Sequence, residues 1–202
     1  MDPLYRAGDV RILEKRTCYQ GFFRLDCYRL KHRLFKGGWS QVLTLECLER
    51  GEAAAVLPYD PRRDRVVLIE QFRIGALNAP GGPWLLEVVA GMIEPGETPE
   101  EVARREAVEE AGCEIGELWP IASYLVSPGG TSERIHLFCG RVDAGRAGGI
   151  HGLAEEGEDI RVHAVPFEEA WGWVEAGRIR SATPIIALQW LAMHRERLKE
   201  EG

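Results

Sequence analysis

Apolar and polar positions alternate, or run together, in short stretches over most of the chain, and only near the middle and the end does the spacing lengthen to that of a helix. "GFFRLDCYRLKHRLF" and "SQVLTLECLER" read as strands separated by the turn signal Gly37-Gly38, which predicts a small antiparallel sheet in the first ~50 residues. "AAAVLPYD" and "RVVLIEQFRI" predict two more strands, with Asp60-Pro61 as a hairpin-like connection. After the loop "GALNAPGGP", the run "WLLEVVAG" leads into a glutamate-rich segment. Beyond it "IASYLVS", "RIHLFCGRV" and "IRVHAV" predict strands, joined by "PGGTSE" and by a long loop, "DAGRAGGIHGLAEEGED". Long loops in compact domains are more often functional than idle. "FEEAWGWVEAG", ending on Gly177, and "TPIIALQWLAMHRERLKEE" predict two closing helices. Strands with a helix embedded among them predict an α+β (mixed α/β) sandwich preceded by a β-rich appendage.

The embedded helix has the clearest boundaries. Thr98 suits the cap, Pro99 the first helical position, Glu101 completes a T-x-x-E capping box, and Gly112 is a natural stop. At ~100° per residue Glu106, Glu109 and Glu110 share one face, while Ala103, Ala107, Ala111 and Val108 form the adjoining apolar stripe. Neighbours on such a face stand ~5–6 Å apart, where like charges at an effective dielectric of ~20 repel by roughly 3 kcal/mol. Arg105 offsets part of this, but one guanidinium is not expected to serve three carboxylates. Two readings follow from the residues alone: a solvated acidic face, or a seat for divalent cations such as Mg²⁺, which takes a few carboxylate oxygens together with water and phosphate oxygens.

Composition narrows the partners. The 202 residues allow one mid-sized domain or a domain with a small appendage, and 45% hydrophobic with 28% charged residues is a globular balance. A net charge of -7 offers no basic footprint for nucleic acid or an anionic membrane. No apolar run reaches the ~18 residues of a spanning helix, and "MDPLYRAGDVRILEKRTCYQ" lacks the apolar core of a secretory signal, so a cytoplasmic protein is expected. Five cysteines, odd in number, widely spaced and without a C-x-x-C pair, argue against a disulfide framework and against a zinc site.

Spacing decides between the two readings of the acidic face. From Gly91 there are five residues to Glu97 and seven more to Arg105, followed by Glu106, Ala107, Val108, Glu109, Glu110, Ala111, Gly112 and Cys113. This resembles the G-x5-E-x7-R-E-U-x-E-E-x-G-U signature of Nudix hydrolases at every glycine and charged position; Ala107 and Cys113 are small for the bulky apolar U. The resemblance implies a Nudix α/β/α sandwich and hydrolysis of a nucleoside diphosphate linked to another group. It implies Glu106 and Glu110 as metal ligands together with the Ala90 carbonyl, Glu109 beside them in the catalytic set, and Gly91, Glu97, Arg105 and Gly112 as residues that hold the box. Mg²⁺ is the implied cofactor, with Mn²⁺ or another divalent cation as substitutes.

The flanks extend the resemblance to the bacterial ADP-ribose pyrophosphatase branch of that family: "LIEQFRIGA", "WLLEVVAGMIEPGE", "SPGGTSER", "GIHGLAEEGEDIRVHAV" and "IIALQWL". On that resemblance Glu156 is the expected base and Glu158 a further metal ligand. Arg73 faces the phosphates, Phe22 and Phe23 sandwich the adenine, and Glu133 and the backbone at Met92 reach the terminal ribose. Glu46 and Arg50 complete the substrate set, although Leu45 stands where the family commonly has an arginine.

The implied organisation is an N-terminal β domain at 1–50, exchanged in a homodimer, and a Nudix domain at 51–202. The implied activity is cleavage of ADP-ribose to AMP and ribose 5-phosphate. Two alternatives remain: another nucleoside diphosphate sugar such as GDP-mannose, and a non-cleaving ADP-ribose sensor, which the undamaged box disfavours.

Overall fold

Residues 52–60 and 65–72 are apolar on both sides of the strand, the pattern of strands covered on both faces rather than one. The computed structural model, which describes residues 4–153 and 157–200, bears this out. The chain divides into two compact units, Met1–Gly51 with Leu125–Arg134, and Glu52–Tyr124 with Ile135–Gly202.

The first unit is a three-stranded antiparallel sheet of β1 (Val10–Gln20), β2 (Arg24–His32) and β3 (Leu43–Glu49), in that order. Gly37 and Gly38, both at positive φ, lie in the β2–β3 connection where the turn was expected. β1 is an unanticipated element: "VRILEKRTCYQ" breaks alternation because of irregularities between Ile12 and Glu14 and between Thr17 and Tyr19, and it is exposed along its whole length. Residues 125–134 dock against β3 through Leu48, whose N–H donates to the Gly130 carbonyl and whose carbonyl accepts the Ser132 N–H. This excursion from the larger unit's sequence into the smaller one has no signal in the residue pattern.

The second unit is an eight-stranded sheet made from β4 (Glu52–Asp60), β5 (Arg65–Phe72), β6 (Trp84–Glu87), β7 (Val89–Met92), β8 (Leu118–Leu125), β9 (Arg134–Arg141), β10 (Gly149–His151) and β11 (Ile160–Pro166). Its order is β10-β11-β5-β4-β9-β8, with β6 paired to β5 and β7 to β4. Three helices complete it: α1 (Pro99–Ala111), α2 (Phe167–Glu175) and α3 (Ala182–Glu200). Alternate residues of β4 and β5 feed two cores. Ala54, Val56, Val67 and Ile69 pack with Val102, Ala103, Ala107 and Ala111 of α1. Leu57, Tyr59, Val66 and Leu68 pack with Phe167 of α2 and with Leu188 and Leu191 of α3. Helices on both faces of the sheet make the expected mixed α/β sandwich.

Two local expectations are corrected. The long loop holds a strand, β10, whose Ile150 pairs with Arg161. Val108 is 52% exposed, so the buried stripe of α1 is Val102, Ala103, Ala107 and Ala111; the i+4 steps from Ala103 carry the contact, and Val108 falls one position past it. The β4–β5 turn is tied by Asp60, which accepts hydrogen bonds from Arg62 N (3.0 Å), Arg63 N (3.1 Å), Arg63 Nη1 (2.8 Å) and Ala144 N (3.0 Å).

Candidate active site

α1 begins as its sequence requires. Thr98 Oγ1 accepts the Glu101 N–H at 3.3 Å while Glu101 returns a carboxylate to the Thr98 N–H at 2.8 Å. It ends at Gly112, in the left-handed region at φ 61, where a Cβ would also meet His151 Cε1 at 2.7 Å. Gly91 is required for a different reason: a Cβ there would overlap the Glu106 carboxyl. Both box glycines therefore mark close approaches to this helix.

Arg105 does more than the sequence suggested. Its Nε donates to Glu97 Oε1 at 3.2 Å, and its Nη1 to Glu106 Oε1 at 2.8 Å and to Glu109 Oε2 at 3.2 Å, so it adds Glu97 to two carboxylates of the helix face and, as expected, does not serve all three of that face. The planar fork makes this possible. Glu97 also accepts the Glu94 N–H at 2.9 Å, and that bond and Arg105 hold its carboxyl below the ordinary range. Burial raises Glu106 despite Arg105.

Glu110 is the carboxylate that Arg105 does not reach. It is 3% exposed and accepts the Ala90 N–H at 3.0 Å. Burial pushes it up to about 8, against the pull of that N–H. Ala90 pairs with Ala55 of β4, and in an antiparallel ladder a residue's N–H and C=O point to the same side of the strand. The Ala90 carbonyl therefore turns away from β4, as its N–H does toward Glu110.

The charge of Glu158 raises both Glu106 and Glu110, and the charge of Arg73 lowers Glu110. Glu158 is held by the Leu153 N–H at 3.1 Å, beside Gly152, whose N–H in turn reaches the Glu109 carbonyl at 3.3 Å. Arg73, at the end of β5, donates to Glu87 at 2.7 Å. Glu87 was not singled out from the sequence; its signal is the β5–β6 register, which aligns it with Ile69. Met92 closes β7, 45% exposed, paired with Ala53. Glu156 lies outside the described residues.

The remaining predicted residues belong to the first unit. Phe22 and Phe23 sit in the β1–β2 turn rather than in a strand, ring centroids 4.9 Å apart and edge-on. Phe22 is 96% exposed, so neither ring is the core residue that "GFF" in a strand would be. Arg50 lies 4.5 Å over the Phe23 ring and donates to Glu133 at 3.0 Å, which brings three of the expected substrate residues together. Glu46 is exposed on β3 opposite Cys27, and among the described residues no hydrogen bond or ion pair joins it to that trio.

Among the described residues no three carboxylate, imidazole or thiolate groups stand close enough to grip a metal ion as they lie. The donor set still suits one. Carboxylates and a backbone carbonyl are the hard oxygen ligands of Mg²⁺, and a buried Glu110 without a cationic partner would be relieved by one.

A sheet sandwiched by helices, with a capped helix offering Glu106, Glu109 and Glu110 beside a glycine-dependent turn, defines a Nudix-type site. The NUDIX domain model matches residues 49–187, and the chain belongs to that family. It is 58% identical over 197 residues to the ADP-ribose pyrophosphatase of Escherichia coli strain K12, covering 98% of this chain and 94% of the relative. It is 37% identical over 150 residues to the GDP-mannose pyrophosphatase of Escherichia coli strain UTI89, covering 73% and 77%. A crystal structure of an ADP compounds hydrolase shares the fold, with a TM-score of 0.71, 22% identity and 96% of each chain covered.

Proposed function

We propose that the protein hydrolyses the diphosphate of ADP-ribose, giving AMP and ribose 5-phosphate. The observation that carries this reading is the 58% identity to an ADP-ribose pyrophosphatase across nearly the full length of the chain, supported by Glu106 and Glu110 on the capped helix α1. Water attacks one phosphorus, the bridging P–O bond breaks, and the proton of the water passes to Glu156 acting as base. Arg73 presents a fork of N–H donors to phosphate oxygens. Glu106, Glu110, Glu158 and the Ala90 carbonyl would hold Mg²⁺, or Mn²⁺ in its place. The cation supplies charge neutralisation of the diphosphate and activation of the attacking water. Glu109 stays with Arg105, and Glu97, Gly91 and Gly112 fix the loop and helix on which the ligands stand.

In the first unit, Phe22 and Phe23 offer ring faces for adenine, and Glu133, with Arg50 and Glu46, offers polar contacts to the sugar side. The exposed apolar residues of that unit, Ile12, Leu13, Tyr19 and Phe35 among them, suit a homodimer contact. Among the described residues no helix is long and apolar enough to cross a membrane. With a net charge of -7 the reading is a cytoplasmic enzyme for a small nucleotide, with neither nucleic acid nor membrane as partner.

GDP-mannose is the second reading, favoured by the 37% identical relative. A panel of nucleoside diphosphate sugars, with phosphate released by a coupled phosphatase, tests both: ADP-ribose is expected to give the highest kcat/KM. A tenfold preference for GDP-mannose would reverse the assignment, and no turnover with binding of ADP-ribose would make the protein a sensor.

A further inference from the structure

The last turn of α1 is closed by two backbone bonds, from the Cys113 N–H to the Ala107 carbonyl at 2.9 Å and from the Gly112 N–H to the Val108 carbonyl at 3.0 Å. That closure leaves over the Glu109 carbonyl, which accepts the Gly152 N–H at 3.3 Å from the chain leaving β10. A segment forty residues away in sequence therefore finishes the end of the glutamate helix.

His151, one residue before Gly152, meets the same helix end. A Cβ on Gly112 would stand 2.7 Å from His151 Cε1, so the edge of the ring occupies the space that the glycine leaves open. The neighbouring ring atom, Nε2, lies 2.9 Å from the Gly148 carbonyl. A carbonyl only accepts, so Nε2 carries the hydrogen and the ring is fixed in orientation. His151 also pairs with Ile160 of β11, which closes the base of the loop that follows.

Glu158 returns to this anchor. Its N–H donates to the Leu153 carbonyl at 3.2 Å, and its Oε2 accepts the Leu153 N–H at 3.1 Å. Gly152, at φ 99, has no room for a side chain, since a Cβ there would stand 2.7 Å from Glu158 Cβ. Contacts thus run from Gly112 and Glu109 at the helix end, through His151 and Gly152, to Glu158. The charge of Glu158 is felt in turn by Glu106 and Glu110 of that helix.

We propose that His151 is a positioning residue for Glu158: held by Gly148 and seated against Gly112, it fixes the start of the loop on the end of α1 and so sets where Glu158 stands relative to Glu106 and Glu110. A carboxylate tethered in this way has less freedom left to lose when a cation binds, because much of it was given up on folding. The inference rests on the reading of Glu158 as a ligand of the cation.

Mn²⁺ binding to the substrate-free protein, followed by the spin-resonance signal of the free ion, tests it. His151→Phe keeps an aromatic ring but cannot donate to Gly148, and it is expected to weaken Mn²⁺ binding about tenfold, the lower end of what residues supporting a metal ligand contribute. His151→Gln, whose Nε2 can donate to the same carbonyl, is expected to stay within about twofold of the unchanged protein. In a Glu158→Gln background His151→Phe is expected to move Mn²⁺ affinity by less than about twofold, because no ligand is left for it to position. If circular dichroism shows that His151→Phe does not fold, His151→Ala, which empties the space instead of crowding it, carries the same expectations. An unchanged affinity, an equal loss in both backgrounds, or a His151→Gln variant as weak as His151→Phe overturns the proposal. Glu158→Gln alone separates the two levels. If it leaves Mn²⁺ binding unmoved, the ligand reading of Glu158 fails and the role of His151 with it; if it weakens binding while His151→Phe does not, only the role of His151 fails.

Discussion

Glu110 and Ala90 are joined by a 3.0 Å hydrogen bond from backbone to carboxylate, and this bond seats a 3% exposed carboxyl where Arg105 cannot reach it. Glu106, one turn earlier, has Arg105 at 2.8 Å. Among the described residues the two carboxylates therefore differ in what opposes their charge: a guanidinium for Glu106, a backbone N–H for Glu110.

Glu106→Gln and Glu110→Gln are each expected to lower kcat by about two orders of magnitude or more, with an unchanged circular dichroism spectrum. The melting temperature of Glu110→Gln in chelator should be no lower than that of the unchanged protein, because a neutral amide is easier to bury than a carboxylate. Full activity in excess chelator would remove the cation from the mechanism.

Gly91→Ala puts a methyl group into the space of the Glu106 carboxyl. Expected is a large loss of kcat, with a destabilisation of about 1–3 kcal/mol typical of overpacking. Calorimetry alongside the kinetic assay checks both parts, and an active variant would show that Glu106 has an alternative rotamer that serves.

Glu156→Gln should depress kcat far more than it raises KM, as removal of a base does. Glu158→Gln should instead raise the Mg²⁺ concentration needed for half-maximal activity, since the charge of Glu158 is felt by both Glu106 and Glu110. Metal titrations in which both variants track the unchanged enzyme would leave the "EEGED" segment without a role.

Asp60 sets an acid limit on stability. Burial alone would raise its carboxyl, but the Arg63 side chain and the N–H groups of Arg63, Ala144 and Arg62 outweigh it and hold the carboxyl below the ordinary range. A group depressed in the fold stabilises above its unfolded value and loses that contribution as pH falls through the folded one. Asp60→Asn is therefore expected to cost about 2 kcal/mol at pH 7. The difference from the unchanged protein should shrink as pH drops below about 4. Urea melts at several pH values measure it, and a pH-independent difference would assign the cost to the turn alone.

Light scattering is expected to report a homodimer, and removal of residues 1 to about 48 to abolish activity, if the exposed β1 and the Phe22–Phe23 turn belong to a shared site. Leu45, 49% exposed on β3, cannot donate hydrogen bonds; Leu45→Arg should lower KM for ADP-ribose about tenfold with kcat unchanged. A fully active monomer, or an unmoved KM, would relocate nucleotide recognition.

What the sequence determined by itself was local. Thr98, Pro99 and Glu101 set where α1 begins, Gly112 where it ends, and the three- and four-residue offsets among Glu106, Glu109 and Glu110 put their carboxylates on one face, because helix geometry converts spacing into direction. The apolar runs of β4 and β5 were legible as strands, whereas helices on both of their faces became visible only in the packing. Tertiary structure decided whatever depends on elements far apart in the chain meeting. Only packing tells that Val108 faces solvent and that Arg105 spans Glu97, Glu106 and Glu109. Only the β5–β6 register brings Glu87 within reach of Arg73, and only the docking of residues 125–134 on β3 brings Glu133 to Arg50. Spacing along one helix is a rigid ruler, whereas register between strands and the path of a loop are chosen by the total burial they achieve, which no short stretch of residues contains.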